Sequence, residues 1–267
     1  MISRKTLTIC AAALGLMAAN HAANAVQYGE PDGDGHPYVG LLVFDAGGGP
    51  AWRCTGTLLS PTVVLTAGHC TYGAEGGRIW FESDVSDLAT TGYPFPGGTS
   101  IEATGIYTHP DYNGNAFFLH DLGIVILSQP VMMPEYGQLP PLGILDGLTT
   151  RRGLQQQLFN PVGYGLQSMK PVLSADRVRY TGDVMLIGTK GTFGIPEGSS
   201  VGFSSNPGKK ASGGTCFGDS GGPIFWYGDG TIVAVTSFGM NSNCKGTGGG
   251  YRIDQPDDQA FIYSFLP

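Results

Sequence analysis

The stretch Gly218-Asp219-Ser220-Gly221-Gly222-Pro223 sits between Cys216 and the apolar run Ile224 to Tyr227. A serine hydroxyl is a weak nucleophile until a base takes its proton. Glycines on both sides let the backbone turn tightly and let a second backbone come close. Such a loop suits a substrate laid against it, with amide N–H groups aimed at a carbonyl. A plain Gly/Ser surface turn would read the same way in isolation, so the partners elsewhere in the chain decide between the two.

Two segments supply those partners. His69 lies in Thr66-Ala67-Gly68-His69-Cys70, directly after the apolar run Val63-Val64-Leu65. Asp121 lies in His120-Asp121-Leu122-Gly123 and opens the run Gly123 to Leu127, where a carboxylate needs a partner. His, Asp and Ser in that chain order, within TAGHC, DLGIVIL and GDSGGP, resemble the trypsin/chymotrypsin-type secreted serine proteases. The resemblance covers most of the chain after residue 25, weakly from Glu82 to Ser100 and from Met132 to Leu158.

What that family implies can be placed residue by residue. Ser220 is the expected nucleophile, His69 the general base and Asp121 the group that orients it. Backbone N–H groups of Gly218 and Ser220 form the expected oxyanion hole. The primary pocket is expected from Gly214 and Thr215 at its floor, Phe217 at its rim, and Ser237, Phe238, Gly239 and Gly249 on its walls. No aspartate stands at the floor, so apolar or aromatic side chains are expected ahead of cationic ones. Gly163-Tyr164-Gly165 resembles a family G-W-G, with Tyr for Trp. Lys209 and Lys210 read as a solvated loop before the pocket.

Composition sets the outer bounds. The chain has 267 residues, 41% of them apolar and 13% charged, which is the composition of a folded globular protein. Its formal net charge of −7 disfavours nucleic-acid phosphates, and no basic run opposes that. Arg4 and Lys5, the apolar stretch Leu7 to Ala19 and the small-x-small Ala23-Asn24-Ala25 predict a signal peptide over residues 1–25, too short to span a membrane. The protein is then expected outside the cytoplasm, as a monomer acting on protein or peptide substrates, with no cofactor and no metal.

Five cysteines include Cys10 in the predicted leader, leaving Cys54, Cys70, Cys216 and Cys244. An even set in an oxidising compartment allows three pairings. No pair has the C-x2-4-C spacing of a zinc site. The resemblance selects Cys54–Cys70 and Cys216–Cys244. It also implies that a new amino terminus at Val26 pairs with Asp219; Val26 and Gly29 fit the family's I-V-G-G start, while Gln27 and Tyr28 depart from it.

Short apolar runs separated by Gly, Pro, Asn and Asp, with 44 glycines in all, predict an all-β chain. The resemblance makes it two six-stranded antiparallel barrels with a C-terminal helix, a first unit over 26–145 holding His69 and Asp121 and a second over 146–267 holding Ser220. Phe261, Ile262, Phe265 and Leu266 follow Asp257-Asp258 at helical spacing, which predicts that helix and its caps. Asp32-Gly33-Asp34-Gly35 lacks the later ligands of a calcium loop and reads as a surface turn. The rival to an enzyme is an inactive homologue serving as a binding or adhesion module.

Overall fold

The computed structural model describes residues 26–116, 118–148, 156–169, 173–189, 195–196, 198–206 and 213–267. The predicted leader, Lys209 and Lys210 lie outside the described residues. Among those described, no helix is long and apolar enough to cross a membrane.

Among the described residues fourteen strands carry the fold: β1 (Glu30–Pro31), β2 (Val39–Ala46), β3 (Gly49–Ser60), β4 (Val63–Thr66), β5 (Gly76–Trp80), β6 (Ile101–Thr108), β7 (Gly123–Leu127), β8 (Leu158–Gly163), β9 (Tyr180–Thr181), β10 (Val184–Gly188), β11 (Ser200–Ser204), β12 (Pro223–Trp226), β13 (Ile232–Gly239) and β14 (Thr247–Arg252). The helices among the described residues are α1 (Gly68–Thr71), α2 (Leu88–Thr91) and α3 (Pro256–Tyr263). β2-β3-β4-β7-β6-β5 closes into one antiparallel barrel. β8-β10-β11-β14-β13-β12 forms the second, closed by the β8–β12 pairing, with β9 and then β1 added outside β8. Closure leaves few open strand edges, which is what short strands rich in Val, Ile and Phe need to satisfy their backbone.

Each barrel has an apolar filling. Leu41, Leu58, Val64, Trp80 and Val125 are buried in the first. Phe159, Leu186, Phe203, Ile224 and Val233 are buried in the second. The stretch Arg177 to Ile187 divides into β9 and β10 at Gly182-Asp183. The helix α3 begins at Pro256, earlier than the capping reading of Asp257 and Asp258. Those acids sit in its first turn, and the buried Asp258 accepts a hydrogen bond from Tyr251 Oη at 3.0 Å.

Several contacts tie the barrels together. The N-terminal segment joins the second barrel, with Gln27 bridged to Gly214. From the other end of the chain, Ile262 of α3 belongs to a buried apolar cluster that holds side chains of both barrels. Arg179, 1% exposed, spends its guanidinium across the junction: Nε donates to Asp32 at 2.8 Å, Nη1 to the carbonyls of Val39 and Phe81 and to Tyr164 Oη, and Nη2 to the Gly33 carbonyl. Gly33, Asp34 and Gly35 form the surface turn that the sequence suggests, but the Asp32 carboxylate ahead of them is buried under Arg179 and also contacts His36.

Candidate functional site

His69 lies in the single turn α1 that follows β4, and Asp121 immediately precedes β7. β4 and β7 are paired neighbours, so the two residues come off adjacent strand ends. Asp121 is fully buried, and both its oxygens are used. Oδ1 accepts the His69 backbone N–H at 2.7 Å. Oδ2 lies 2.9 Å from His69 Nδ1 and accepts the Ser237 hydroxyl at 2.6 Å. A carboxylate only accepts, so the imidazole proton belongs on Nδ1, leaving a lone pair on Nε2. Burial pulls the imidazolium pKa down, but the charge and hydrogen bond of Asp121 outweigh it and the net shift is upward from 6.5.

Ser220 sits on the opposite barrel, on a loop held from below by Thr55 of β3. The Thr55 N–H donates to the Ser220 carbonyl at 2.8 Å, and its hydroxyl donates to the Gly218 carbonyl at 2.9 Å. That hydroxyl in turn accepts the Tyr164 N–H at 3.1 Å. Glycine is required twice in this loop. Gly218 has φ +98°, and a Cβ there would lie 2.9 Å from Arg53 Nε; at Gly221, φ +77°, a Cβ would lie 2.0 Å from Thr66 Oγ1. Neither the Gly218 nor the Ser220 N–H is spent on a protein acceptor among the described residues.

Asp219, between them, points inward. It is 1% exposed and accepts the Gly165 and Cys216 amides at 2.8 and 2.9 Å. Burial raises its pKa to about 6, opposed by those amides, by the charge of Arg53 and by the Val26 backbone N–H. Val26 is fully buried at this spot with φ +48°, an unfavourable backbone for a β-branched residue. Disulfides join Cys54 to Cys70 beside His69 and Cys216 to Cys244 beside the Ser220 loop.

His69 and Ser220 both line two adjoining cavities. No hydrogen bond joins their side chains among the described residues, as is common in sites without a bound substrate. One cavity, of about 540 Å³, is walled by Thr215, Phe217, Ser237, Phe238 and Gly239, five of the residues expected around a primary pocket. Gly214 and Gly249 do not line it. A Cβ on Gly214 would strike Ser205, and the Phe238 ring covers Gly249. The other cavity, of about 690 Å³, extends towards Trp52, Arg53, Tyr93 and Arg177. The sequence reading missed three contributors. Ser237 was expected only as pocket wall, but its hydroxyl holds Asp121; Thr55 and Arg179 carry no motif.

Two groups of potential metal ligands occur among the described residues. Cys54 and Cys70 of the first are bonded to each other, which leaves no thiolate for a metal. His109 and His120 of the second are stacked at 4.9 Å with nearly parallel rings, so their lone pairs do not converge; His109 Nδ1 already accepts the Asp111 N–H.

Comparison with known proteins agrees with this geometry. The family model for Trypsin matches residues 27–255. Brachyurin from Leptuca pugilator is 28% identical over 219 residues, 78% of this chain and 84% of brachyurin. A trypsin from Saccharopolyspora erythraea is 28% identical over 231 residues, 81% of this chain and 87% of the trypsin. An HL collagenase structure superposes with a TM-score of 0.69 at 19% identity, covering 91% of this chain and 100% of that one, a likeness of fold.

Proposed function

The chain belongs to the trypsin family of serine endopeptidases, and from that premise we propose that it hydrolyses peptide bonds through Ser220, His69 and Asp121. Ser220 Oγ bonds to the scissile carbonyl carbon while its proton passes to His69 Nε2. The tetrahedral oxyanion takes the unspent N–H groups of Gly218 and Ser220, each donor typically worth about 3 kcal/mol at the transition state. His69 then protonates the leaving amine as the C–N bond breaks. Water repeats the sequence on the acyl-enzyme: it gives its proton to His69, attacks the acyl carbon and releases the acid, and Ser220 regains its proton. Asp121, fixed by the His69 amide and by Ser237, holds the imidazole tautomer throughout.

The observation that carries this reading is the chain Ser237–Asp121–His69 ending at a cleft whose far wall is the Ser220 loop. Among the described residues, no Asp, Glu, Lys or Arg side chain lines the smaller cavity, which favours apolar or aromatic residues on the acyl side. The leader over 1–25 would take the protein out of the cytoplasm, and its removal would free an α-amino group at Val26 beside Asp219. A fluorophosphonate probe tests the core claim. Stoichiometric labelling of Ser220, abolished in His69→Ala, is expected; an unlabelled but folded protein would leave only the binding-module alternative.

A further inference from the structure

The larger cavity at the site carries an electrostatic signature at odds with the rest of the chain. The protein is acidic, with 21 Asp and Glu against 14 Lys and Arg. Yet this cavity is lined by Arg53 and Arg177 and by no acidic side chain among the described residues. Arg53 Nη2 is buried without any hydrogen-bond partner. Asp219, whose carboxyl feels the Arg53 charge, already spends its oxygens on backbone amides. Arg177 forms no ion pair among the described residues; its guanidinium rests over the Tyr93 ring, 5.1 Å from the centroid. Its backbone is held at φ +66°, an uncommon conformation for arginine, and its carbonyl accepts the Val85 N–H at 3.1 Å.

A buried guanidinium with an unused N–H is expensive unless something completes it. Arg53 so placed and the half-buried Arg177, one from each barrel, across a cavity with aromatic walls, make a receptor for a planar anion: arginine meets carboxylate in a matching fork. The place of the cavity says which part of a substrate would supply that anion. Both cavities end at Ser220. If the acyl side of the scissile bond enters the smaller one, the leaving-group side must run into the larger. Resting on the proteolytic reading above, we propose that Arg53 and Arg177 form a leaving-group-side subsite that selects substrates with an aspartate or glutamate just after the scissile bond.

The test uses the active full-length protein and quenched peptides that share one acyl-side sequence, chosen from its fastest-cleaved substrate. They differ only after the scissile bond, carrying Glu, Ala or Lys, with the cleavage point fixed by mass spectrometry. The Glu peptide is expected to exceed the Lys peptide by about tenfold in kcat/KM, shrinking towards parity near 1 M salt where screening acts within about 3 Å. Arg177→Gln and Arg53→Gln are each expected to lower the Glu-to-Lys ratio, and the pair to bring it to about one, as expected when the ion pairs are gone. Arg53→Lys, which keeps the charge, is expected to retain part of the preference. Should Arg53→Gln fail to fold, the Arg177→Gln ratio carries the test. A wild-type ratio at or below one, or a ratio unmoved by Arg177→Gln, overturns the subsite while leaving the protease reading intact. Absence of any Ser220-dependent cleavage overturns both.

Discussion

At the scale of single residues, the site depends on hydrogen bonds whose partners are far apart in the chain. His69 has its pKa raised by Asp121, so a neutral base appears only as pH rises through that elevated value. The acid limb of kcat/KM is therefore expected above the ordinary imidazole value of about 6.5. Asp121→Asn removes the charge, so its residual activity is expected to show the limb at lower pH, together with a fall in kcat of several orders of magnitude. An unmoved limb would mean that another group titrates. Thr55 is a second case. Its buried hydroxyl both donates to the Gly218 carbonyl and accepts the Tyr164 amide, so Thr55→Val leaves two buried groups unpaired while preserving shape. That is expected to cost about 1–3 kcal/mol in urea unfolding and to lower kcat more than it raises KM, because the loop positions the N–H groups proposed as oxyanion donors. His69, Asp121 and Ser220 were legible because each lies in a short motif. Thr55 was not, because an isolated threonine in a strand gives no sign that its hydroxyl faces another barrel.

At the scale of elements, strands were easier to read than their joints. β4 and β7 stand where the apolar runs put them, because a run with turn residues at both ends has little freedom. The division between β9 and β10 and the early start of α3 were not visible, because tertiary contacts decide both: β9 pairs with β1 and β8, and Asp258 is drawn under Tyr251. The N-terminal segment shows the same dependence. Val26 is strained while residue 25 remains attached, and Asp219 beneath it carries a pKa near 6. An acid whose folded pKa lies above its unfolded value of about 3.8 gives stability below that value and loses it as pH rises through the folded one. Cleavage after Ala25 would relieve the φ restriction and place a cation beside the carboxylate. In an inactive Ser220→Ala background, a chain extended by one residue before Val26 is therefore expected to lose thermal stability between about pH 4 and 6 relative to the chain beginning at Val26. With Ser220 restored, the extended form is expected to be much less active. Equal activity of the two forms would remove Val26 from the mechanism.

At the scale of the molecule, the cleft exists only while the two barrels keep their relative position, because His69 and Asp121 belong to one and Ser220 to the other. Arg179 donates five hydrogen bonds at that junction, and it is fully enclosed. A buried ion pair is weak evidence for net stability, since apolar replacements of both partners are often tolerated. Losing one partner is a different matter. Arg179→Met would leave Asp32 buried beside His36 alone and would take the side-chain donor from the carbonyls of Phe81 and Gly33, while the Tyr164 hydroxyl keeps its bonds to the carbonyls of Glu82 and Val39. The expected loss is about 3–5 kcal/mol in urea unfolding. Replacing Asp32 by Asn in the same chain removes the stranded charge but not the orphaned carbonyls, so a partial recovery is expected. The two substitutions should be non-additive by more than about 0.5 kcal/mol, as for groups in one network. Activity adds a second readout. If the pair fixes the inter-barrel geometry, Arg179→Met below its unfolding transition should lose kcat while fluorophosphonate labelling of Ser220 slows in parallel. Strictly additive substitutions with unchanged labelling would confine Arg179 to packing and leave the alignment of the cleft to Thr55 and the segments that cross between the barrels.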